Sequence, residues 1–214
     1  MKIGILGTGI VGTTLGTGLL RLGHEVKLGA RAAGNEKAAA WVREAGARAS
    51  QGTFAEAAAF GELVFNCTSG DASLAALGAA GARNLDGKVL VDVANPLDFS
   101  KGMPPTLSIV NTDSLGERIQ KAFPGVHVVK ALNTLTAALM VNPGALSQET
   151  DLLICGNDRA AKAQVTKLLQ SLGWKSIIDL GDISNARGTE MWLALWIRLM
   201  TALKTPQFNL KIVR

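Results

Sequence analysis

The feature that most constrains this chain is the glycine-rich segment Gly7–Gly12, which lies between an apolar run and a helical pattern. Residues 2–6 are mostly apolar and long enough to form a buried strand. Beyond the glycines, apolar side chains recur at the spacing of a helix with one buried face, and Gly23 ends that pattern. Residues 24–28 then read as a second strand, so the sequence predicts a β-α-β unit.

Each glycine of this G-x-G-x-x-G pattern has a physical role in binding a dinucleotide. Gly7 allows the tight turn out of the strand, Gly9 has no side chain to keep a pyrophosphate from the backbone, and Gly12 lets the helix pack closely on the sheet. The free N–H groups and the positive end of the helix dipole then face the phosphates. A packing turn without a ligand is the alternative. In this position the pattern predicts an α/β fold with a Rossmann-type doubly wound parallel sheet.

The end of the second predicted strand favours NADP over NAD. NAD sites usually place Asp or Glu there, to bind the ribose 2′-hydroxyl. Here the strand runs into Gly29, Ala30 and Arg31, with no carboxylate to repel a 2′-phosphate. The planar guanidinium of Arg31 can bind such a phosphate, and Lys37 can add a second positive charge. A solvated surface position is the alternative for both side chains.

A β/α alternation continues along the chain, and several predicted strands end in small polar residues. The strands expected at residues 63–67, 88–93 and 126–131 each run into a short loop of this kind. Ligands of open α/β sheets bind at that edge. The loop residues that we expect at the ligand site are Thr68, Ser69, Asn95, Pro96 and Asn133. A role in forming the turn is the alternative for the two asparagines.

The pattern changes near residue 134, and we expect two parts. Residues 1–134 are predicted to form an NADP-binding Rossmann domain, and residues 135–214 a small C-terminal lobe that closes a cleft for the hydride acceptor. A long helix is predicted over residues 185–203, with Trp192 and Trp196 on its apolar face. That face favours core packing or contact with a second copy over stacking on a cofactor, so a homodimer is an expectation.

The composition excludes several kinds of chemistry and partner. The chain has no tyrosine, two histidines and two cysteines, which excludes a Tyr–Lys catalytic pair and a four-cysteine zinc site, and we predict no metal ligands. The net charge is +5 without a basic run, so no nucleic-acid partner is expected. The uncharged residues 3–20 carry six glycines, which argues against a membrane anchor. We therefore expect a cytoplasmic protein that does not associate with membranes.

The ordered set of motifs resembles the NADP-dependent coenzyme F420 reductases over essentially the whole chain. The motifs that carry the resemblance lie at residues 7–12, 29–31, 94–98, 129–133, 155–158 and 180–182. The cytosolic domain of the animal six-transmembrane ferric reductases is a more distant relative. The resemblance implies that the chain binds NADP(H), and that a deazaflavin such as coenzyme F420, or a related flavin, stacks on the nicotinamide in an apolar cleft.

The resemblance also implies positions for each part of NADP(H). These are Thr8, Gly9, Ile10 and Val11 for the pyrophosphate, Ala30, Arg31 and Lys37 for the 2′-phosphate, and the backbone of Ala131 for the nicotinamide amide. One departure from the family pattern is Ala30, which stands where the family has a serine beside the phosphate-binding arginine. This replacement removes one hydroxyl donor and weakens the expected preference for NADP.

Hydride transfer between a nicotinamide and a flavin-like ring needs positioning, stacking and exclusion of water, but little acid or base catalysis. We therefore predict an oxidoreductase that transfers hydride between NADPH and coenzyme F420 or a related flavin, with no catalytic side chain. Lys130 as a proton donor is the alternative on that point. Two other functions stay open, namely an NADPH-dependent reductase of a ferric chelate, quinone or imine, and a non-catalytic NADP(H) sensor.

Overall fold

The predicted β-α-β unit begins the computed structural model, which describes residues 1–213. Ten strands form across these residues: β1 (Lys2–Leu6), β2 (Glu25–Ala30), β3 (Ala49–Thr53), β4 (Leu63–Asn66), β5 (Val89–Asp92), β6 (Leu97–Asp98), β7 (Thr106–Leu107), β8 (His127–Ala131), β9 (Asp151–Gly156) and β10 (Ser176–Asp179). The helices are α1 (Ile10–Arg21), α2 (Glu36–Ala45), α3 (Phe54–Phe60), α4 (Ser73–Ala80), α5 (Ala82–Leu85), α6 (Leu115–Ala122), α7 (Ala137–Met140), α8 (Arg159–Ser171) and α9 (Ala186–Leu203). Short 3₁₀ turns cover Gly70–Ala72, Pro143–Ala145 and Ile183–Asn185.

Eight of the strands form one sheet in the order β10-β9-β8-β5-β4-β1-β2-β3. The six neighbouring strands β8-β5-β4-β1-β2-β3 of this sheet pair in parallel and follow the Rossmann order. This order confirms the predicted fold class. Strand β9 pairs with β8 in the antiparallel sense, and β10 pairs with β9 in parallel. The chain beyond residue 134 therefore extends the same sheet, and the predicted boundary at that residue stays a prediction.

Helices cover both faces of the sheet because strand side chains alternate in direction. In β1, Ile3 and Ile5 belong to the core that includes residues of α1 and α8, whereas Leu6 belongs to the core under α3, α4 and α6. A side chain at Gly4 would meet the carbonyl oxygen of Ala57 at 2.2 Å, so α3 lies directly on the strand. This packing fixes β1, and with it the loop that leaves its carboxyl end.

Three elements differ from the sequence prediction or were missing from it. Strand β3 was missed because it is short and polar, with the sequence Ala-Ser-Gln-Gly-Thr at the edge of the sheet. The sequence set no bounds for helix α4, because its apolar residues do not gather on one face. Residues 99–110 show no periodic apolar pattern, yet Thr106–Leu107 within them form β7, which pairs with β6 in a two-stranded hairpin. Within residues 1–213, no helix has the length and apolarity that a bilayer crossing requires.

Candidate functional site

A cleft of about 620 Å³ opens at the carboxyl edge of the sheet, between the amino end of α1 and the β6–β7 hairpin. Because β1, β4 and β5 run in parallel, the loops that follow them meet at this edge. The residues that line the cleft are Val11, Cys67, Thr68, Ser69, Gly70, Asp71, Val93, Ala94, Asn95, Leu97, Asp98, Phe99, Ser100 and Ser108. The lining combines apolar side chains with small polar ones, which suits a flat ring with polar edges.

The turn before α1 has the geometry that a phosphate group needs. Gly7 has a φ of +123°, and a side chain there would approach the carbonyl oxygen of Cys67 to 2.6 Å. At Gly9 an added side chain would meet nothing within 4 Å, so open space lies in front of the backbone. Gly9 also begins α1 without a side-chain cap, and the first turn holds no acidic residue. The N–H groups of this turn are therefore available to an anion.

The end of β2 presents two positive charges. Ala30 is buried, whereas Arg31 and Lys37 are exposed. Neither of these basic side chains forms an ion pair within residues 1–213. Asn35 caps the following helix by accepting a hydrogen bond from the backbone of Ala38 at 3.1 Å. The charges of Arg31 and Lys37 are thus free to interact with an anionic ligand.

The polar loops after β4, β5 and β8 contact one another. A side chain at Gly70 would lie 2.1 Å from the carbonyl oxygen of Asn95, which shows how closely the first two loops approach. Asn95 donates from Nδ2 to the carbonyl oxygen of Asn133 at 2.8 Å, and Asn133 donates from Nδ2 to Oδ1 of Asn95 at 2.9 Å. Leu132, with a φ of +64°, turns the chain between β8 and this contact.

The predicted site residues divide into three groups by position. Val11, Thr68, Ser69 and Asn95 line the cleft. Gly7, Thr8, Gly9, Ile10 and Gly12 form the turn and the first helical residues beside it, and Ala30, Arg31 and Lys37 lie at and beyond the end of β2. Pro96, Ala131 and Asn133 are buried and do not line the cleft. The contacts of all these residues with a nucleotide stay predictions.

Sequence reasoning missed the contribution of the β6–β7 hairpin. Leu97, Asp98 and Phe99 line the cleft, and Phe99 remains 57% exposed. The backbone N–H of Ser100 donates to Asp98 at 2.8 Å and, with the Ser100 side chain, lowers the pKa of that carboxyl. Strands of two residues are too short to give a periodic pattern, so the sequence held no signal for them.

A buried cluster of charges behind the cleft was also missed. Lys130 is fully buried and its Nζ lies 2.8 Å from Oδ2 of Asp92 and 2.8 Å from Oε1 of Glu190. Burial by itself lowers the pKa of Lys130, but the two carboxylates outweigh burial and raise it. Lys130 does not line the cleft, so the lining gives no support to the alternative of a proton donor there. The sequence did hold one signal for this cluster, because Lys130 is a charged residue inside an otherwise apolar strand.

Several other polar and aromatic side chains have structural contacts. Arg187 binds Glu117 rather than Glu190, through its Nε at 2.8 Å from Oε2. Trp196 stacks on Phe208 with 5.3 Å between the ring centroids. Burial raises the pKa of the Cys155 thiol to about 12 and raises that of Cys67 as well, the charge of Asp92 being a secondary cause for Cys67. Each thiol is therefore largely protonated at neutral pH and reacts only slowly.

Comparisons with known proteins agree with this geometry. The family model described as NADP oxidoreductase coenzyme F420-dependent matches residues 2–96. The F420-dependent NADP reductase of Methanothermobacter marburgensis is 32% identical over 209 residues, which cover 93% of this chain and 92% of that protein. Metalloreductase STEAP3 of Rattus norvegicus is 33% identical over 211 residues, which cover 96% of this chain. The chain spans only 38% of the length of that rat protein.

A solved structure extends the similarity to the whole chain. It is the crystal structure of a protein from Arthrobacter sp. FB24 that was proposed to be an F420-dependent NADP reductase. The two sequences are 54% identical, and the superposition covers 100% of each chain with a TM-score of 0.95. The fold described above is therefore one that a similar protein adopts in a crystal.

Proposed function

The chain belongs to the coenzyme F420-dependent NADP oxidoreductase family, and we propose that it transfers hydride between NADPH and coenzyme F420. The observation that carries the proposal is the cleft of about 620 Å³ beside the uncapped amino end of α1. A nucleotide on that helix end would direct its reactive ring toward the loops after β4 and β5. The acceptor would then fill the rest of the cleft.

Several features of the chain support NADP(H) as the hydride donor. Gly9 leaves open space before the first turn of α1, where backbone N–H groups can bind the pyrophosphate. Arg31 and Lys37 supply positive charge for a 2′-phosphate. NADPH supplies a hydride when bound, and coenzyme F420 accepts that hydride together with one proton from water. We assign to NADP(H) the residues Gly7, Thr8, Gly9, Ile10, Val11, Gly12, Ala30, Arg31, Lys37, Thr68, Ser69, Asn95, Pro96, Ala131 and Asn133.

The side chains of the cleft support catalysis by positioning. Val11, Val93 and Phe99 give apolar surface that can hold a ring and exclude water. Asp98 remains ionised near neutral pH because hydrogen bonds from Ser100 lower its pKa, so it cannot serve as a proton donor. The Cys67 thiol remains protonated because burial raises its pKa. We accordingly assign no catalytic side chain and no metal ligand.

The test is steady-state oxidation of NADPH with coenzyme F420, FMN, FAD and a ferric chelate as separate acceptors. The proposal predicts turnover with F420 and a lower KM for NADPH than for NADH. Binding of NADPH without turnover with any acceptor would contradict an enzymatic role and favour a nucleotide sensor. Heat-denatured protein, with each acceptor, controls for uncatalysed reduction.

A ferric chelate is the second candidate acceptor, because the rat metalloreductase is similar to this chain over 211 residues. The chain spans 38% of that protein, so the similarity covers only part of the rat metalloreductase. Turnover with the ferric chelate alone, and none with F420, would select this candidate. A ferric chelate that reacts only when FMN or FAD is present would instead identify a flavin as the direct acceptor.

We also propose a cytoplasmic homodimer that binds no nucleic acid. The exposed apolar side chains Leu195, Leu203 and Ile212 lie on α9 and on the segment after it, and contact with a second copy would bury them. The free cysteines Cys67 and Cys155 fit a reducing compartment. Light scattering tests the dimer, and the mass of a single chain would contradict it. We keep residue 134 as the proposed boundary between the two parts.

A further inference from the structure

A chain of buried polar contacts joins α9 to two walls of the cleft, and we propose that Lys130, Asp92 and Glu190 are positioning residues for hydride transfer. The inference rests on the proposed function, because it concerns the geometry of the same cleft. These three side chains do not line the cleft themselves. They would act through the loops that follow β4 and β5.

Lys130 is the centre of this cluster. Its ammonium group has three N–H donors, and three oxygens lie within hydrogen-bond distance: Oδ2 of Asp92 at 2.8 Å, Oε1 of Glu190 at 2.8 Å and the carbonyl oxygen of Ala94 at 2.5 Å. The side chains of Lys130 and Asp92 are 0% exposed. Each donor therefore has an acceptor, and the amine has no freedom to move without losing one.

The cluster fixes the first wall, the loop after β5, at both ends of one residue. Ala94 accepts from Nζ of Lys130 through its carbonyl oxygen and donates from its N–H to Oδ1 of Asp92 at 3.3 Å. Ala94 and the next residue, Asn95, both line the cleft. A shift of the ammonium group would therefore move the backbone of this wall directly.

The same cluster reaches the second wall, the loop after β4, through one buried amide. Asn66 donates from Nδ2 to Oδ1 of Asp92 at 2.8 Å. Its Oδ1 accepts from the hydroxyl of Thr68 at 2.7 Å and from the N–H of Thr68 at 3.3 Å. Thr68 lines the cleft, so both walls depend on the position of one carboxylate.

Glu190 connects these walls to the helices on one side. Its Oε2 accepts from the N–H of Leu115 at 2.8 Å, and its Oε1 accepts from the N–H of Gly116 at 3.0 Å. Both N–H groups belong to the first turn of α6, where a carboxylate is favoured by the helix dipole. The carboxylate thus holds α6, α9 and Lys130 in one arrangement.

The cost of burying these charges argues for a role beyond stability. Well-packed apolar residues of similar volume often replace a buried ion cluster with no loss of stability. Here two branches of the contacts reach the backbone of Ala94 and the hydroxyl of Thr68, and both residues line the cleft. A displacement of about 1 Å between reacting groups can lower a rate by about 100-fold. Geometry of the cleft is therefore what this cluster can provide and an apolar one cannot.

The test compares Glu190→Gln with a matched control, Arg187→Met. The first variant keeps the shape of the side chain but removes the charge that binds Lys130. The control removes the Arg187–Glu117 ion pair, which also joins α9 to α6 but makes no contact with the walls of the cleft. We expect Glu190→Gln to lower kcat with F420 by about 10- to 100-fold, and to weaken NADPH binding by a smaller factor, because the turn at Gly7–Gly12 and Arg31 have no contact with the cluster. Arg187→Met is expected to lower Tm without this loss of kcat.

A second measurement does not depend on turnover. Cys67 lies between Asn66 and Thr68 and lines the cleft, so its alkylation rate, mapped by mass spectrometry, reports displacement of that wall. We expect faster alkylation in Glu190→Gln than in the wild type and in Arg187→Met. If Glu190→Gln does not fold, Asn66→Ser breaks the same chain of contacts beside Thr68 and is expected to give the same results.

The outcomes separate this inference from the proposed function. Wild-type values of both kcat and Cys67 alkylation in a folded Glu190→Gln variant would overturn the positioning role. An equal loss of kcat in Arg187→Met would also overturn it, because the loss would then follow from a weakened helix junction. If the wild type reduces no acceptor, the proposed function fails, and the alkylation rates alone decide whether the cluster fixes the wall.

Discussion

At the scale of single residues, Arg31 is expected to select the nucleotide. It is exposed and follows β2, where a 2′-phosphate would lie. Because a charge-assisted hydrogen bond contributes about 1.5–3 kcal/mol, Arg31→Met should weaken NADPH binding by about 10- to 100-fold and leave NADH binding nearly unchanged. The control is Arg43→Met, which changes an exposed arginine on α2. Fluorescence titrations of the wild type and both variants with each nucleotide measure the six dissociation constants, and equal losses for the two nucleotides in Arg31→Met would exclude this role.

Gly9 and Gly7 should respond differently to the same substitution. Gly9 begins α1 with a φ of −79° and open space around it, so Gly9→Ala should change the free energy of unfolding by less than about 1 kcal/mol. It should nevertheless weaken NADPH and NADH alike, because the methyl group occupies the phosphate position. Gly7→Ala should destabilise the fold itself, since its φ is +123° and the methyl group would meet a carbonyl oxygen. Denaturant unfolding and titration measure both effects; unweakened binding in Gly9→Ala would contradict the phosphate site.

Individual residues could be assigned from the sequence where the chemistry is local. The turn at Gly7–Gly12 is of this kind, because its geometry depends on adjacent residues and on the strand before it. The pairing of Lys130 with Glu190 is not, since 60 positions separate them and only the assembled sheet brings α9 beside β8. Arg187, three positions before that glutamate on the same helix, pairs with Glu117 instead.

At the scale of elements, the β6–β7 hairpin is expected to contribute to acceptor binding. Phe99 lines the cleft and is half exposed, so Phe99→Ala should leave Tm unchanged. Loss of its ring surface should raise the KM for F420 by about 3- to 10-fold, since burying a large apolar side chain contributes about 1.5–3 kcal/mol at most. Met103→Ala, on the same hairpin but away from the cleft lining, is the control. A raised Kd for NADPH with an unchanged KM for F420 would assign Phe99 to the nucleotide instead.

The elements that the sequence predicted well are those with a strong period and clear ends. Helix α1 and strands β1 and β2 have both, and α3 begins with a capping box of Thr53 and Glu56, a spacing that is visible in the sequence. The edge strand β3 and the hairpin lack a periodic apolar pattern, because they are short and only partly buried. Their conformation depends on neighbouring strands, which no local pattern encodes.

At the scale of the whole molecule, the sheet connects the two proposed parts. Removal of residues 135–214 would take β9 from the edge of β8 and Glu190 from Lys130, and would leave a buried charge without one of its partners. Because breaking a buried ion pair costs about 3–5 kcal/mol, the fragment of residues 1–134 is expected not to fold cooperatively. Circular dichroism with urea tests this. A cooperative transition in the fragment would instead establish an independent domain ending near residue 134.

The whole-molecule function is tested most directly by following the hydride itself. NADPH carrying deuterium at the transferred C4 position would be mixed with the protein and coenzyme F420, and the reduced F420 analysed by mass spectrometry. Direct hydride transfer predicts one deuterium in the reduced F420, and much less product when NADH labelled in the same way replaces NADPH. Reduced F420 without deuterium, or no reduced F420 while another acceptor consumes NADPH, would contradict the proposed reaction.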